Sequence, residues 1–231
     1  MADWDPERYR QWFETPLGRT VEADEKALVF GLADLKTGQD VLDVGCGDGS
    51  YTVPAVERTG RAVGIDPSDA MLRAARQRAE SSHGALYVVG TGEDLPFADA
   101  TFDAVLMVTV LCFVAHPARL ISEARRVLRP GGRLIVGELG RHSIWAIVRR
   151  TRGMFGDPIW SQARFYSPKD LIALLNGAGF EQSVVQGAVF YPPVRRSSLL
   201  GAMRPIESAG RWLCPWAGAF LVARGFKRID P

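Results

Sequence analysis

Short apolar runs alternate with amphipathic stretches through the first 139 residues. Asp40–Val44, Arg61–Ile65, Ala85–Val89, Phe102–Thr109 and Arg133–Leu139 are brief and apolar, which predicts strands. Between them, Ser50–Arg58, Ser68–Glu80 and Pro117–Leu128 read as helices, with Ser68 as a cap and Arg129-Pro130-Gly131-Gly132 as a stop. Strands joined by helices of about a dozen residues need crossover connections, so a parallel sheet is expected. Val105–Val108 is apolar at every position, as in a strand covered on both faces.

The flanks differ. Asp5 followed by Pro6 predicts a helix to Phe13, and Thr15-Pro16-Leu17-Gly18 reads as a break before a second helix over Val21–Leu35. After Leu139 the rhythm fails until Tyr166, and a long connection inside an α/β domain is usually functional. Ser167-Pro168 opens a helix to about Asn176, and Phe180–Tyr191 and Ala219–Gly225 read as two more strands around a second excursion at 191–217. One domain is expected over 1–231: a helical cover (1–36), a core (38–139), a cap (140–166) and a C-terminal part of the sheet (167–231). At 231 residues such a chain can bury roughly 70% of its unfolded surface without staples.

Charge sharpens that division. Residues 1–139 carry 15 Lys and Arg against 21 Asp and Glu, whereas 140–231 carry 13 against 5. All six tryptophans lie outside 13–144, so a basic, aromatic segment follows a regular scaffold. Such a segment favours an anionic ligand or an anionic membrane surface. Nucleic acid is disfavoured, because no recognition motif accompanies the modest basicity. The longest near-apolar run, Ala104–Ala115, is short of the roughly 18 residues a membrane span requires. Three widely spaced cysteines form no disulfide or zinc pattern, and the first residues lack an apolar signal core, so a cytoplasmic setting is expected.

The strongest local signal is Val41-Leu42-Asp43-Val44-Gly45-Cys46-Gly47-Asp48-Gly49-Ser50, a strand running into three glycines and then a helix. Glycines permit a tight turn and close approach of a ligand, and a helix start offers free N–H groups. The spacing is G-x-G-x-G rather than the dinucleotide G-x-G-x-x-G, and Asp43 before it would oppose a pyrophosphate. Asp66 ends the second strand, where a carboxylate can accept both hydroxyls of a ribose.

VLDVGCGDGSYT, VGIDPS, GEDLPF, FDAVLMV and RVLRPGGRLIVGEL, in that order, resemble the successive motifs of small class I S-adenosylmethionine-dependent methyltransferases over about residues 38–139. The resemblance implies a Rossmann-like, mostly parallel seven-stranded α/β sheet whose last strand is antiparallel, with N-terminal helices and a cap after the fifth strand. It implies S-adenosyl-L-methionine as cofactor, leaving S-adenosyl-L-homocysteine. Carried over by position, Gly45, Cys46, Gly47 and Gly49 pass the methionine part, and Asp43 sits near its amino group. Asp66 takes the ribose, Pro67 and Met71 lie against the adenine, and Gly92, Glu93 and Asp94 edge it. Thr109 lies beside the sulfonium, and Arg19 pairs with the methionyl carboxylate. Thr91 stands where relatives often have a carboxylate.

Methyl transfer from a sulfonium depends mainly on alignment and needs a base only if the acceptor must lose a proton. Thr109-Val110-Leu111-Cys112-Phe113 lacks the N/D-P-P-Y/F pattern of relatives that methylate amides or exocyclic amines. His142, after the fifth strand, is a candidate for proton transfer. Tyr9, Trp12, Trp145, Trp160, Arg164 and Tyr166 are candidates for the acceptor pocket, which is expected to take a small molecule, anionic or lipid-like. Two alternatives stay open: a lipid-headgroup methyltransferase at a membrane surface, and a non-catalytic S-adenosylmethionine-binding protein.

Overall fold

A computed structural model describes residues 6–80, 82–194 and 203–229, with the side chains of 6, 8 and 9 left undescribed. Seven strands form one sheet: β1 (Val41–Val44), β2 (Ala62–Asp66), β3 (Ala85–Val89), β4 (Phe102–Val108), β5 (Leu128–Leu139), β6 (Phe180–Ala188) and β7 (Phe220–Lys227). Their order is β3-β2-β1-β4-β5-β7-β6, and only β7 runs against its neighbours. The order reverses between β1 and β4. That reversal opens a crevice at the carboxyl ends of the strands, where α/β sheets bind ligands.

The helices follow the apolar periodicity, with shifts that have local causes. The break predicted at 15–18 shrinks to one residue, because Thr15 caps α2 (Pro16–Ala33) through a bond from Gly18 N at 2.9 Å and Pro16 takes the first turn. It separates α2 from α1 (Pro6–Glu14). The cap proposed at Asp5 lies outside the described residues. Thr52–Thr59 forms α3, and Asp69–Arg78 forms α4 behind the Ser68 cap. Pro117–Val127 is α5, and β5 begins at Leu128, five residues earlier than the pattern suggested, absorbing Pro130-Gly131 through a register shift against β4. The sheet is covered on both faces. Val21, Leu28 and Leu32 of α2 pack with Ala55 and Val56 of α3 on one; Leu120, Ile121 and Ala124 of α5 pack with Leu171 and Leu175 on the other.

The segment after β5 is ordered rather than loop-like. It holds α6 (Ile144–Met154), capped by Ser143, and the short α7 (Pro158–Gln162), capped by Asp157. Gly140 pairs with Tyr166, which returns the chain to the sheet before α8 (Pro168–Gly177). The second excursion contains α9 (Met203–Leu213). No helix among the described residues is long and apolar enough to cross a membrane.

Candidate active site

β1 ends in a loop whose three glycines all have left-handed φ: Gly45 at +67°, Gly47 at +53° and Gly49 at +78°. Gly45 N and Cys46 N donate to Ile65 O at 2.8 and 3.1 Å, so the loop folds back across the end of β2. Asp66, the last residue of β2, completes the joint: its carboxylate accepts Gly47 N at 3.0 Å and Ser68 N at 2.8 Å. Burial raises its pKa, and these two N–H groups counter the rise. Asp43 is deeper and accepts the Thr52 hydroxyl at 2.6 Å; burial pushes it up to about 7.

The loop borders a cavity of about 520 Å³. Asp43, Gly45, Cys46, Gly47, Asp66 and Pro67 line one side, and Met71, Gly92, Glu93 and Thr109 also face it. A side chain on Gly47 would meet no protein atom within 4 Å, whereas one on Gly45 would strike Val110 at 2.6 Å. Glycine at 47 thus keeps the cavity clear, and at 45 it permits packing. Apolar walls at Met71, Val110 and Leu120 with carboxylates at one end suit a flat heterocycle joined to a hydroxylated sugar. The residues present fit an adenosyl cofactor.

A larger chamber of about 1030 Å³ adjoins it, and Tyr51, Val108, Thr109 and Phe113 line both. Thr109 has φ +54°, a left-handed conformation that a β-branched residue rarely adopts. Its backbone is held by Thr109 N donating to Gly137 O at 2.7 Å. The next residues are fixed by the buried Glu138, whose carboxylate accepts Val110 N at 3.0 Å and Leu111 N at 2.6 Å. Burial lifts Glu138 to about 7 against these bonds and that of the Cys112 thiol. Strain at such a junction is a recurrent feature of functional sites.

Three of the aromatic candidates meet in the chamber. Trp12 packs edge-on to Trp145 at 6.4 Å, and Arg149 lies over both the Trp145 and Trp160 rings, 5.1 and 4.9 Å from their centroids. Trp145 is fixed by its indole N–H donating to Tyr191 O at 2.8 Å.

Other candidates lie elsewhere. Arg19 is exposed and its guanidinium donates to Glu14 O, so it does not reach the donor cavity. Asp94 is exposed and outside both linings. Gly49 packs instead against Tyr87 and Ala75. His142 is exposed against Trp216 at 5.7 Å, because Arg141 pairs with Tyr166 and Ser143 caps α6 on either side of it. Tyr166 is buried, its hydroxyl donating to Leu111 O at 3.0 Å, and Arg164 is exposed with its backbone tied to Cys112. The Tyr9 side chain lies outside the described residues.

Tyr51 and Glu25 are among the chamber residues that the sequence did not single out. Tyr51 lies beside the glycine loop, and Glu25 lies on α2. Glu25 had a legible signal: it stands on the stripe Val21, Leu28 and Leu32, a carboxylate among buried apolar positions at helical spacing.

A glycine loop and an acidic strand end at a switch point, beside a second chamber, define a class I methyltransferase-type site on a Rossmann-like sheet. The comparisons agree. A methyltransferase domain family profile matches residues 42–136. A solved S-adenosylmethionine-dependent methyltransferase of Thermotoga maritima, described as a possible histamine N-methyltransferase, superposes with a TM-score of 0.74 at 32% identity, covering 96% of this chain and 95% of that one. An uncharacterized Mycobacterium tuberculosis protein is 35% identical over 192 residues, 83% of this chain and 64% of that protein, so the chain spans less than two thirds of that relative. The demethylmenaquinone methyltransferase of Tropheryma whipplei is 48% identical over 102 residues, 44% of this chain and 42% of that enzyme. The chain belongs to the S-adenosylmethionine-dependent methyltransferases.

Proposed function

We propose that the smaller cavity holds the donor and the larger chamber a small-molecule acceptor, with transfer taking place past Thr109. The observation that carries this reading is the shared lining at Tyr51, Val108, Thr109 and Phe113. When bound, S-adenosylmethionine supplies a methyl group on positively charged sulfur. The chain aligns the two molecules, and alignment of this kind can remove about 7–11 kcal/mol of a barrier. Asp66 accepts the ribose hydroxyls through lone pairs not used by Gly47 and Ser68. Pro67 and Met71 flank the adenine, Gly92 and Glu93 edge it, and Gly45, Cys46 and Gly47 pass the methionine part beside Asp43.

Trp12, Trp145 and Trp160 suit an acceptor with an aromatic or apolar body, and Arg149 in the same lining suits a carboxylate or phosphate on it. The names of the relatives, a possible histamine N-methyltransferase and a demethylmenaquinone methyltransferase, support small-molecule chemistry. Calorimetric titration with S-adenosylmethionine and S-adenosylhomocysteine, with NAD as control, tests the donor assignment. Micromolar binding of the first two and none of NAD is expected; the reverse order overturns it.

A second reading places the acceptor in a membrane. It is supported by the exposure of Ile147, Met154 and Phe155 on and after α6 and of Trp212 and Leu213 on α9, within the basic part of the chain. Co-sedimentation with phosphatidylglycerol vesicles but not phosphatidylcholine vesicles, lost in high salt, is its signature.

A further inference from the structure

Three carboxylates crowd one turn of α2, and two are engaged. Glu22 pairs with Lys26 at 2.7 Å, and Asp24 accepts the Tyr191 hydroxyl at 2.9 Å. Glu25 instead lines the acceptor chamber, and no hydrogen bond or ion pair joins it to another described residue. Arg149 of α6 lines the same chamber. Its guanidinium carbon lies 5.1 and 4.9 Å from the Trp145 and Trp160 ring centroids, and its N–H donors find no acceptor among the described residues. Arg152, also in the lining, is paired with Asp157 at 2.8 Å.

Glu25 and Arg149 sense one another electrostatically yet form no contact ion pair. Burial lifts Glu25 to about 8, with Glu22 and Asp24 adding to the rise and Arg149 and Lys26 opposing it. Arg149 stays charged, since a guanidinium does not lose its proton in a protein. The chamber thus offers one open acceptor and one open donor fork on an aromatic wall. A purely anionic ligand would satisfy Arg149 alone and leave Glu25 without a partner, and a purely cationic one would face the Arg149 guanidinium, a repulsive pairing. A ligand bearing both charges satisfies both groups.

Resting on the acceptor chamber proposed above, we propose that Glu25 and Arg149 are the two polar ends of the acceptor subsite, and that its ligand is amphoteric, with an amine for Glu25 and a carboxylate for Arg149 on an aromatic or apolar body. Binding draws the proton from Glu25, because the ligand's ammonium favours the ionised carboxylate.

The test uses the full chain saturated with S-adenosylhomocysteine and three probes that share a ring: tryptophan, tryptamine and indole-3-propionate. Tryptophan is expected to bind at least about tenfold more tightly than either single-charge probe, roughly one charge-assisted contact. Glu25→Gln should bring tryptophan down to the level of indole-3-propionate, and Arg149→Met to that of tryptamine, with Arg149→Lys recovering part of the loss. Titrations near neutral pH in buffers of different ionisation enthalpy should show proton release in the wild type and none in Glu25→Gln. Unchanged S-adenosylhomocysteine affinity confirms that each variant is folded. Equal affinity for all three probes, binding of none, or wild-type behaviour of Glu25→Gln overturns the proposal; the last two match a pair that satisfies itself through water. Failure of the wild type to bind S-adenosylhomocysteine strikes the donor assignment instead.

Discussion

The Asp66 carboxylate accepts the backbone N–H of Gly47 at 3.0 Å, so the acidic strand end and the glycine loop form one unit. Asp66→Ala removes both that brace and the proposed ribose contact. Thr91→Ala, at the other edge of the cavity, removes only a hydroxyl. Calorimetry should therefore give at least about tenfold weaker S-adenosylhomocysteine binding for Asp66→Ala and a change within about twofold for Thr91→Ala. Equal affinities in wild type and Asp66→Ala would refute the ribose assignment.

Gly45 and Gly47 share a left-handed backbone but fail differently when substituted. A Cβ at 45 strikes Val110 at 2.6 Å, while one at 47 meets open space in the cavity. Gly45→Ala should lose stability from both strain and overpacking, by about 2–4 kcal/mol in urea unfolding. Gly47→Ala should lose only the backbone part, about 1–2 kcal/mol, yet bind S-adenosylhomocysteine far more weakly.

Arg19 and Asp94 offer the converse check. Both matched family positions, but neither lines the donor cavity. Alanine at either position should leave S-adenosylhomocysteine affinity within about twofold of wild type. A tenfold loss at Arg19 would mean that α1 and α2 close over the donor when it binds.

The core was legible because its signals are local. A strand, a glycine turn and a capped helix each announce themselves within ten residues, and Asp66 follows from the end of a strand. The larger chamber was legible in composition but not in arrangement. Trp12 comes from α1 and Trp145 and Trp160 from α6 and α7, more than 130 residues later, and the packing of α6 and α7 against the mouth of the sheet brings them together. His142 failed for a related reason. Its position after β5 was read correctly, but its direction depends on the pairing of Arg141 with Tyr166, twenty-five residues away. Glu25 could have been found, since a carboxylate on a buried stripe demands an explanation.

Glu138 braces the backbone after Thr109 by accepting Val110 N and Leu111 N. Glu138→Leu would leave these N–H groups without an acceptor, and each such loss costs about 1–3 kcal/mol. Urea unfolding should show a loss of about 2–4 kcal/mol. Glu138→Gln keeps a carbonyl oxygen for both donors and should stay within about 1 kcal/mol of wild type. An equal loss in the two variants would place the effect in the charge rather than in the backbone bonds.

Stability should fall as pH rises from about 5 to about 8. Burial lifts Asp43 and Glu138 to about 7 and Glu25 to about 8, from ordinary values of 3.8 for Asp and 4.5 for Glu. Across that window the folded chain keeps protons that the unfolded chain has released, so each added pH unit favours unfolding. The stabilisation is complete below the unfolded values and is lost as pH passes the folded ones. Carboxylates shifted the other way, such as Glu123 beside Arg126 and Asp170 at the Ser167 cap, act below this window. Urea midpoints at about pH 5.5 and about pH 8 should therefore differ by more than about 1 kcal/mol in unfolding free energy, with the lower pH more stable. Glu138→Gln, which cannot titrate, should flatten the dependence; a profile that rises with pH would mean that these carboxylates are ionised in the folded state.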